Sequence, residues 1–431
     1  MMMANPKDEP KKIFPYDYRQ EDLPNGLRLI TVPTEYPNVV AVYIVTQTGS
    51  RNEVEPGKSG FAHFFEHLMF RGTKNTTPAQ YEGLMKRAGA SFNASTWDDR
   101  TQYHTTFSKE DLDTVLRLEA DRFQNLAYAE DLFRTEALAV LGEYNKNSAE
   151  PSEKISEVLY NTAFDRHTYK HTTMGFLKDI QDMPNQYAYS KTFFDRYYRP
   201  EYTTIIVVGD VVPDAVRGMI DRHWGNWKRG SYVPAIPAET AHDKPRRAHV
   251  DWPAATLPWV CVAFRNAAYT DTELDSAALD ILGNLGFSAN SDLYRRLVIE
   301  EQIVDRLGVD NFDHADPNLI QMSARVKKSS DMARVEREIL ETAESLKEKL
   351  VAVEKLETVK KRLRYSFALR LNNSEAIAES LAHYIALRRT PETINRLYDR
   401  YAQVTPEDLR RIARKYFIEN ERTIVTLETK K

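Results

Sequence analysis

Cysteine is almost absent from this chain of 431 residues, which contains only Cys261. An intrachain disulfide is therefore excluded. The single cysteine lies in the apolar run 259–264, which predicts a buried β-strand. We interpret Cys261 as a core residue of that strand and not as a nucleophile.

Long hydrophobic stretches and an excess of basic charge are missing as well. No segment approaches the roughly 20 apolar residues that span a bilayer, so no membrane span is predicted. The formal net charge is −4 and no basic tract stands out, which argues against binding to nucleic acid. Residues 1–9 hold no apolar segment of signal-peptide length. This favours a cytoplasmic protein and fits equally well an exported one whose signal peptide was removed, so the compartment stays open.

The composition that is present belongs to a globular protein of more than one domain. Hydrophobic residues make up 42% and charged residues 28% of the chain, which are ordinary values for a globular fold. At 431 residues the chain is too long for one hydrophobic core and suits two domains of about 200 residues each.

The two halves of the chain have a similar order of apolar and polar segments. An aromatic helix end, a polar turn and an apolar strand follow one another at 194–207 and again at 414–426, which indicates an internal repeat. Between the halves lies a segment with three prolines and several charges, typical of a stiff linker. The predicted arm, first domain, linker and second domain are residues 1–20, 21–226, 227–247 and 248–431.

Residues 63–67 read His-Phe-Phe-Glu-His. On a helix, positions four apart lie roughly 40° apart on one face, so both imidazoles can reach one metal ion. Zinc suits such a site because it accepts imidazole and carboxylate ligands and keeps an open position for water. Glu66 lies on the same face, where it can take a proton from that water. Two histidines at this spacing also occur on exposed helices, but the apolar residues around them predict a buried one.

A third zinc ligand has two candidates in the apolar run 132–143. Glu136 and Glu143 are seven residues apart and project within about 20° of each other along one helix face. Two carboxylates on an otherwise apolar face suit a bound cation. A pair of solvated glutamates on an amphipathic helix explains the same pattern, and these residues alone leave both interpretations open.

The order H-x-x-E-H is typical of inverzincin peptidases, and the chain resembles the M16 zinc peptidases, the group of pitrilysin, insulin-degrading enzyme and mitochondrial processing peptidase. That family carries a ligand glutamate well downstream of the motif, with another glutamate two helical turns before it. Here Glu143 lies 76 residues after His67 (143 − 67). The resemblance implies that His63, His67 and Glu143 bind one Zn²⁺. It further implies that Glu66 is the general base and that Glu136 is a supporting acid of the catalytic site.

Further segments extend the resemblance over almost the whole chain. Residues 23–27 resemble the first-strand signature of the family, and residues 49–53 resemble its G-S-R-x-E turn. Residues 92–96 resemble the N-A-x-T edge strand that the family offers to the substrate backbone, which implies that Asn93 and Ala94 bind substrate. The implied fold is α+β, with two similar domains that each pack helices on an antiparallel-rich sheet.

The second half lacks H-x-x-E-H, so its domain is expected to hold no metal. Residues 282–290 contain glycines without a lysine at P-loop spacing, which argues against a phosphate loop. In the family, a small-residue loop at this place guides substrate, and the present version is only partly glycine-rich.

Two family positions in the second half differ in this chain. Members that complete an active site here have an arginine and then a tyrosine, which hydrogen-bond the substrate and the oxyanion. This chain has Val298 and Asp305 there, and neither can donate such a hydrogen bond. Tyr294 and the two arginines after it lie nearby and offer donors in a shifted register.

The resemblance implies a zinc metalloendopeptidase that hydrolyses extended peptides or small unfolded polypeptides by attack of a zinc-bound water. A homodimer would not supply the missing donors, so the expected assembly is a heterodimer with an M16-like chain that has the arginine and tyrosine. The alternatives are a non-catalytic scaffold of the same fold and a subunit that binds peptides without cutting them. Scaffold subunits tend to lose the metal motif, so its retention favours the peptidase.

Overall fold

The first β-sheet of the computed structural model, which describes residues 12–430, has six strands from the N-terminal half. They are β1 (Arg19–Asp22), β2 (Arg28–Pro33), β3 (Val39–Thr46), β4 (Ser91–Thr96), β5 (Thr101–Ser108) and β6 (Thr203–Gly209). Their order in space is β1-β2-β6-β3-β5-β4, and β4 is therefore an edge strand. Every neighbouring pair is antiparallel except β2 and β6.

The N-terminal half of the described chain has eight α-helices, and all of them except Pro151–Ala163 cover one face of this sheet. They are α1 (Phe61–Leu68), α2 (Pro78–Arg87), α3 (Leu112–Asn125), α4 (Glu130–Asn147), α5 (Pro151–Ala163), α6 (Leu177–Asp182), α7 (Tyr187–Tyr197) and α8 (Pro213–Trp224). The central strands β3 and β6 are almost entirely buried and rich in β-branched residues. Such continuous apolar strands are expected where a sheet is covered on both faces.

The second sheet repeats the arrangement of the first. Its strands are β7 (Arg246–Trp252), β8 (Trp259–Arg265), β9 (Val304–Asp310), β10 (Leu319–Val326) and β11 (Arg422–Thr429). Its order is β7-β11-β8-β10-β9, with β7 and β11 parallel and the other pairs antiparallel. This matches the order β2-β6-β3-β5-β4, so the predicted pair of similar α+β domains is confirmed.

The helices of the second half complete the fold. They are α9 (Asp275–Phe287), α10 (Asp292–Tyr294), α11 (Met332–Glu348), α12 (Val353–Arg370), α13 (Ser374–Arg388), α14 (Glu392–Gln403) and α15 (Pro406–Tyr416). A π-helical turn at Arg295–Glu300 continues α10. Residues 227–245 form neither helix nor strand, and this segment is where we propose to divide the chain into its two domains.

Each sheet is covered on its other face by a helix from the opposite half. Leu381 and Ile385 of α13 share an apolar cluster with Tyr43 of β3. Leu159 of α5 shares another with Val425 of β11. This exchange of helices could not be read from the chain order, because the repeat by itself places each helix with its own sheet. Separating the halves would expose both clusters to water.

The predicted N-terminal arm falls only partly within the described chain. Residues 1–11 lie outside the described residues, and β1 already begins at Arg19. Ile13 and Phe14 are buried in the same apolar cluster as α13. The backbone N–H of Phe14 donates to Asn395 Oδ1 at 3.1 Å. Residues 13 and 14 are therefore fixed against the second half.

The two stretches of the second half that the sequence singled out are both structural. Cys261 lies in β8 and is 1% exposed, which confirms the predicted core residue. Burial raises the pKa of its thiol to about 11, so the reactive thiolate is disfavoured at neutral pH. Gly283 and Gly286 lie inside α9, so most of the segment 282–290 is helix and not a loop. A Cβ added at Gly283 would lie 3.2 Å from the Val309 side chain, and one added at Gly286 would lie 3.0 Å from the Leu346 side chain. The missing side chain at each glycine therefore lets its neighbour approach the helix.

No helix within residues 12–430 combines the length and the apolar character that crossing a membrane requires.

Replacing Leu381 with alanine should lower the free energy of unfolding by about 2–5 kcal/mol, because this side chain is fully buried between α13 and the first sheet. The matched control is Leu369→Ala on α12, where the leucine is 75% exposed and the change should stay within about 0.5 kcal/mol. Chemical denaturation followed by circular dichroism measures both. Equal effects of the two substitutions would contradict the packing of α13 described above.

Candidate metal centre

Helix α1 brings the two histidines of the motif together. It has eight residues, and its apolar side chains Phe61, Phe64, Phe65 and Leu68 are buried. His63 and His67 project from the remaining face, with ring centroids 5.0 Å apart and ring planes at 82°. The spacing predicted from the sequence is thus the spacing that the helix adopts.

Glu143 of α4 meets these histidines. Its Oε2 lies 3.7 Å from His63 Nε2 and 3.3 Å from His67 Nε2. The ligand atoms of the three residues all lie within 4.8 Å of one another. Two ligands of a tetrahedral zinc ion, each bound at about 2.1 Å, are separated by about 3.4 Å. The separations therefore fit a shared zinc ion, and they exceed the usual 2.7–3.2 Å or so of a hydrogen bond.

Burial prepares the histidines for a metal. His63 is 7% exposed, and burial lowers its pKa to about 4. The imidazole is therefore neutral at physiological pH, which is the form that binds metal. The side chains of His67 and Glu143 are 26% and 37% exposed, so the centre is open on one side. A substrate can reach it from that side.

Glu66 is held between the helix and the edge strand. Its Oε2 accepts a hydrogen bond of 2.7 Å from the hydroxyl of Thr96, the last residue of β4. Burial raises the pKa of Glu66, and the Thr96 hydroxyl opposes this by stabilising the charged form. A raised pKa suits a group that takes up a proton near neutral pH.

Glu136 lies two turns before Glu143 on α4, and the structure pairs it with Arg71. Its Oε1 is 2.8 Å from Arg71 Nε, and its side chain is 7% exposed. Arg71 lies three residues after Leu68, the last residue of α1. The pair therefore ties the C-terminal end of α1 to α4, the two helices that carry the metal-binding side chains.

Asn93 and Ala94 lie in β4, in register with His104 and Tyr103 of β5. Within the described part of the chain, β4 has no strand on its other side. Asn93 is exposed and Ala94 is buried. The free edge therefore runs to Thr96, whose side chain contacts Glu66.

At the place that corresponds to the metal centre, the second half has an arginine–asparagine hydrogen bond between two helices. Helices α9 and α12 correspond to α1 and α4 in the repeat, and Arg362 of α12 donates to Asn284 of α9. Val298 lies half-buried in the π-helical turn, and Asp305 of β9 is paired with Arg325 at 2.6 Å.

The arginines near Val298 also have carboxylate partners. Arg295 pairs with Glu300 at 2.8 Å, and Arg296 pairs with Glu338 at 2.6 Å. A donor from this segment would therefore have to give up an ion pair.

A second cluster of possible ligands, Asp165, Glu239 and His242, lies where the linker meets both halves. We do not assign a metal to it. Asp165 is paired with Arg246, and His242 Nε2 faces the guanidinium of Arg265 at 3.3 Å. Two guanidinium groups at such short range oppose a bound cation.

Two residues of the first centre were not assigned a role from the sequence. Thr96 orients Glu66, and Arg71 pairs with Glu136. Thr96 belongs to the N-A-x-T segment, so a recognised sequence pattern already included this residue. Arg71 lies in no recognised pattern.

The chain is similar to known proteins over almost its whole length. Residues 28–176 match the family model described as Insulinase (Peptidase family M16), and residues 186–363 match the one described as Peptidase M16 inactive domain. A zinc protease named PqqE from Helicobacter pylori is 30% identical, over 94% of this chain and 91% of that protein. A probable mitochondrial-processing peptidase subunit beta from Arabidopsis thaliana is 24% identical, over 94% of this chain and 77% of that protein. The crystal structure of a protease from Helicobacter pylori superposes with a TM-score of 0.89 at 30% identity, covering 96% of this chain and 99% of that one.

Proposed function

This chain belongs to peptidase family M16, and from that premise we propose that it is the zinc-bearing subunit of an endopeptidase acting on extended peptides or small unfolded polypeptides. Zinc is the cofactor of this family, and relatives of the chain carry the name zinc protease. One observation carries the proposal. His63, His67 and Glu143 converge next to Glu66, beside the free edge of β4.

His63, His67 and Glu143 would hold the zinc ion, since two neutral imidazoles and a carboxylate are the donors that zinc accepts. The bound ion supplies Lewis acidity, which polarises a peptide carbonyl and lowers the pKa of a water molecule. Glu136 supports this centre through its ion pair with Arg71, because that pair holds α1 and α4 together.

Glu66 moves the proton. Its Oε2 is oriented by the Thr96 hydroxyl, and its raised pKa lets it accept a proton from the attacking water. Once protonated, the same carboxyl can deliver the proton to the leaving amine. The Thr96 hydrogen bond keeps the carboxylate on the side of α1 that faces β4.

The edge strand β4 would bind the substrate backbone. An extended peptide adds to a free sheet edge through main-chain hydrogen bonds, which are independent of its side chains. Asn93 and Ala94 lie on that edge, two to three residues before Thr96. A peptide paired with them would reach Glu66 in an extended conformation, so we expect extended peptides to be better substrates than folded proteins.

The active site of the proposed enzyme needs a second chain. Val298 and Asp305 stand where the family resemblance places an arginine and a tyrosine, and Asp305 is already paired with Arg325. An M16-like partner that has this arginine and tyrosine would supply the oxyanion donors. The chain would then contribute the metal, the base and the edge strand.

Replacing His67 or Glu143 with alanine should remove the zinc, because each substitution leaves only two protein ligands. Metal analysis of the purified chain should find one zinc per wild-type molecule and almost none in the variants. The two domains should stay folded, because their cores are far larger than the site. The matched control is His249→Ala in β7, a half-exposed histidine in the other half, which should retain the zinc.

Full zinc occupancy in His67→Ala would refute this ligand set. A peptide-cleavage assay on the same samples separates the alternatives. A non-catalytic scaffold would bind no zinc, and a peptide-binding subunit would bind zinc and peptide without cleavage even when its partner is present.

A further inference from the structure

The turn at residues 49–53 joins the edge strand to the metal-binding helix. At its first residue, a Cβ on Gly49 would come within 2.1 Å of the carbonyl oxygen of Trp97, so only glycine allows the two backbones to approach. The N–H of Arg51 donates to the carbonyl of Asp98 at 2.9 Å. The hydroxyl of Ser50 donates to the Asp98 carboxylate at 2.9 Å. The turn is thus fixed to the chain directly after β4.

At the other end of the turn, Glu53 contacts the first turn of α1. Its Oε2 accepts from the N–H of Gly60 and its Oε1 from the N–H of Ala62, each at 2.7 Å. The N–H groups at a helix start have no partner within the helix. Gly60 itself has a left-handed φ of 92° and no side chain to accept them. The Glu53 carboxyl, which is 0% exposed, therefore takes the place of a helix cap.

The position of α1 decides the geometry of the metal centre. His63 directly follows Ala62, and Glu66 lies one turn further on. The 2.7 Å hydrogen bond from Thr96 to Glu66 spans the gap between β4 and α1. Since α1 has only eight residues and is about 12 Å long, a displacement at its start reaches both groups.

We propose that Glu53 is a positioning residue of the metal centre, which holds the start of α1 at a fixed place relative to the end of β4. The inference rests on the proposed function in taking the centre to bind zinc and Glu66 to be its base. Its consequence for zinc affinity does not require that the chain cleave peptides by itself.

The protonation state of Glu53 does not decide this role. Burial raises the pKa of Glu53 to about 8, while the hydrogen bonds from the two N–H groups oppose the rise. A carboxylate accepts at both oxygens, and a protonated carboxyl keeps acceptor capacity at both. An amide nitrogen has none, so glutamine has the same shape and cannot satisfy both N–H groups.

The test compares Glu53→Gln with Glu239→Gln in the full chain. Glu239 is the control for replacing a carboxylate that accepts backbone N–H groups, because its Oε2 accepts those of Asp165, Arg166 and His167 at 2.8–3.0 Å, away from α1. We expect Glu53→Gln to bind zinc about 10- to 100-fold more weakly, in the range seen when a support of metal ligands is lost. Competition with a chromophoric chelator measures the affinity. The visible spectrum of the cobalt-substituted chain should also change in Glu53→Gln and stay unchanged in Glu239→Gln.

Unchanged zinc affinity and cobalt spectrum in Glu53→Gln would overturn the positioning role, as would an equal loss in Glu239→Gln. Absence of zinc from the wild-type chain would overturn the proposed function and the positioning role together. This result is distinguishable from one in which the wild type binds zinc and Glu53→Gln binds it equally well. Should Glu53→Gln fail to fold, Glu53→Asp carries the test. It keeps the acid but is one methylene shorter, so it cannot reach both N–H groups. Wild-type zinc affinity in that variant would overturn the proposal.

Discussion

Glu66→Gln should retain its zinc and lose about two to four orders of magnitude in peptidase activity, because the amide cannot take a proton from water. The hydrogen bond from Thr96 reaches an oxygen of residue 66 that glutamine also has, so the substituted side chain should keep its place. Zinc binding should persist because the three ligands are other residues. The measurement is the rate of peptide cleavage under conditions in which the wild type is active, together with the metal content of the same sample.

The matched control is Glu82→Gln, the same substitution on the exposed face of α2, where the glutamate pairs with Lys86. It should leave both activity and metal unchanged. Loss of zinc from Glu66→Gln would make Glu66 a ligand and reverse its role. Near-normal cleavage by this variant would mean that another group takes the proton.

Addition of a partner chain should raise cleavage by at least two orders of magnitude over the purified chain alone. Removing one oxyanion donor typically costs about 2.7–4 kcal/mol, or two to three decades of rate. Val298 has no donor to offer, and Asp305 is an acceptor already engaged by Arg325. A homodimer would not help, since every copy has the same residues at these positions. The partner is sought by co-purification from the native cell, and cleavage is measured before and after it is added.

A partner whose arginine and tyrosine are both replaced is the control for this experiment. It should still bind the chain and fail to restore cleavage. Robust activity of the chain without any co-purifying protein would contradict the requirement for a partner. The missing donor would then have to come from Tyr294, Arg295 or Arg296, and Arg296→Ala would show whether the arginine leaves its pair with Glu338 to act.

The sequence by itself determined the local part of the metal centre. His63, Glu66 and His67 lie on one face of a helix because helical geometry fixes the angle between residues three and four apart. The apolar residues between them fix which helix face is buried. The same short-range logic placed Cys261 in a strand and predicted the repeat of the two domains, since strand and helix patterns are readable within a few residues.

Only the tertiary structure decided which residues distant in the sequence join His63, Glu66 and His67 at the metal centre. Glu143 was assigned by resemblance, because nothing in its own neighbourhood distinguishes a ligand from a solvated glutamate; packing of α4 on α1 places it 3.3 Å from His67. Thr96 on Glu66 and Glu53 on the start of α1 depend in the same way on how β4, the turn and the helix meet. The exchange of α5 and α13 between the halves follows from burial of whole sheet faces. Local spacing constrains neighbours in the chain, whereas these contacts are set by the requirement that every apolar face of both sheets be covered at once.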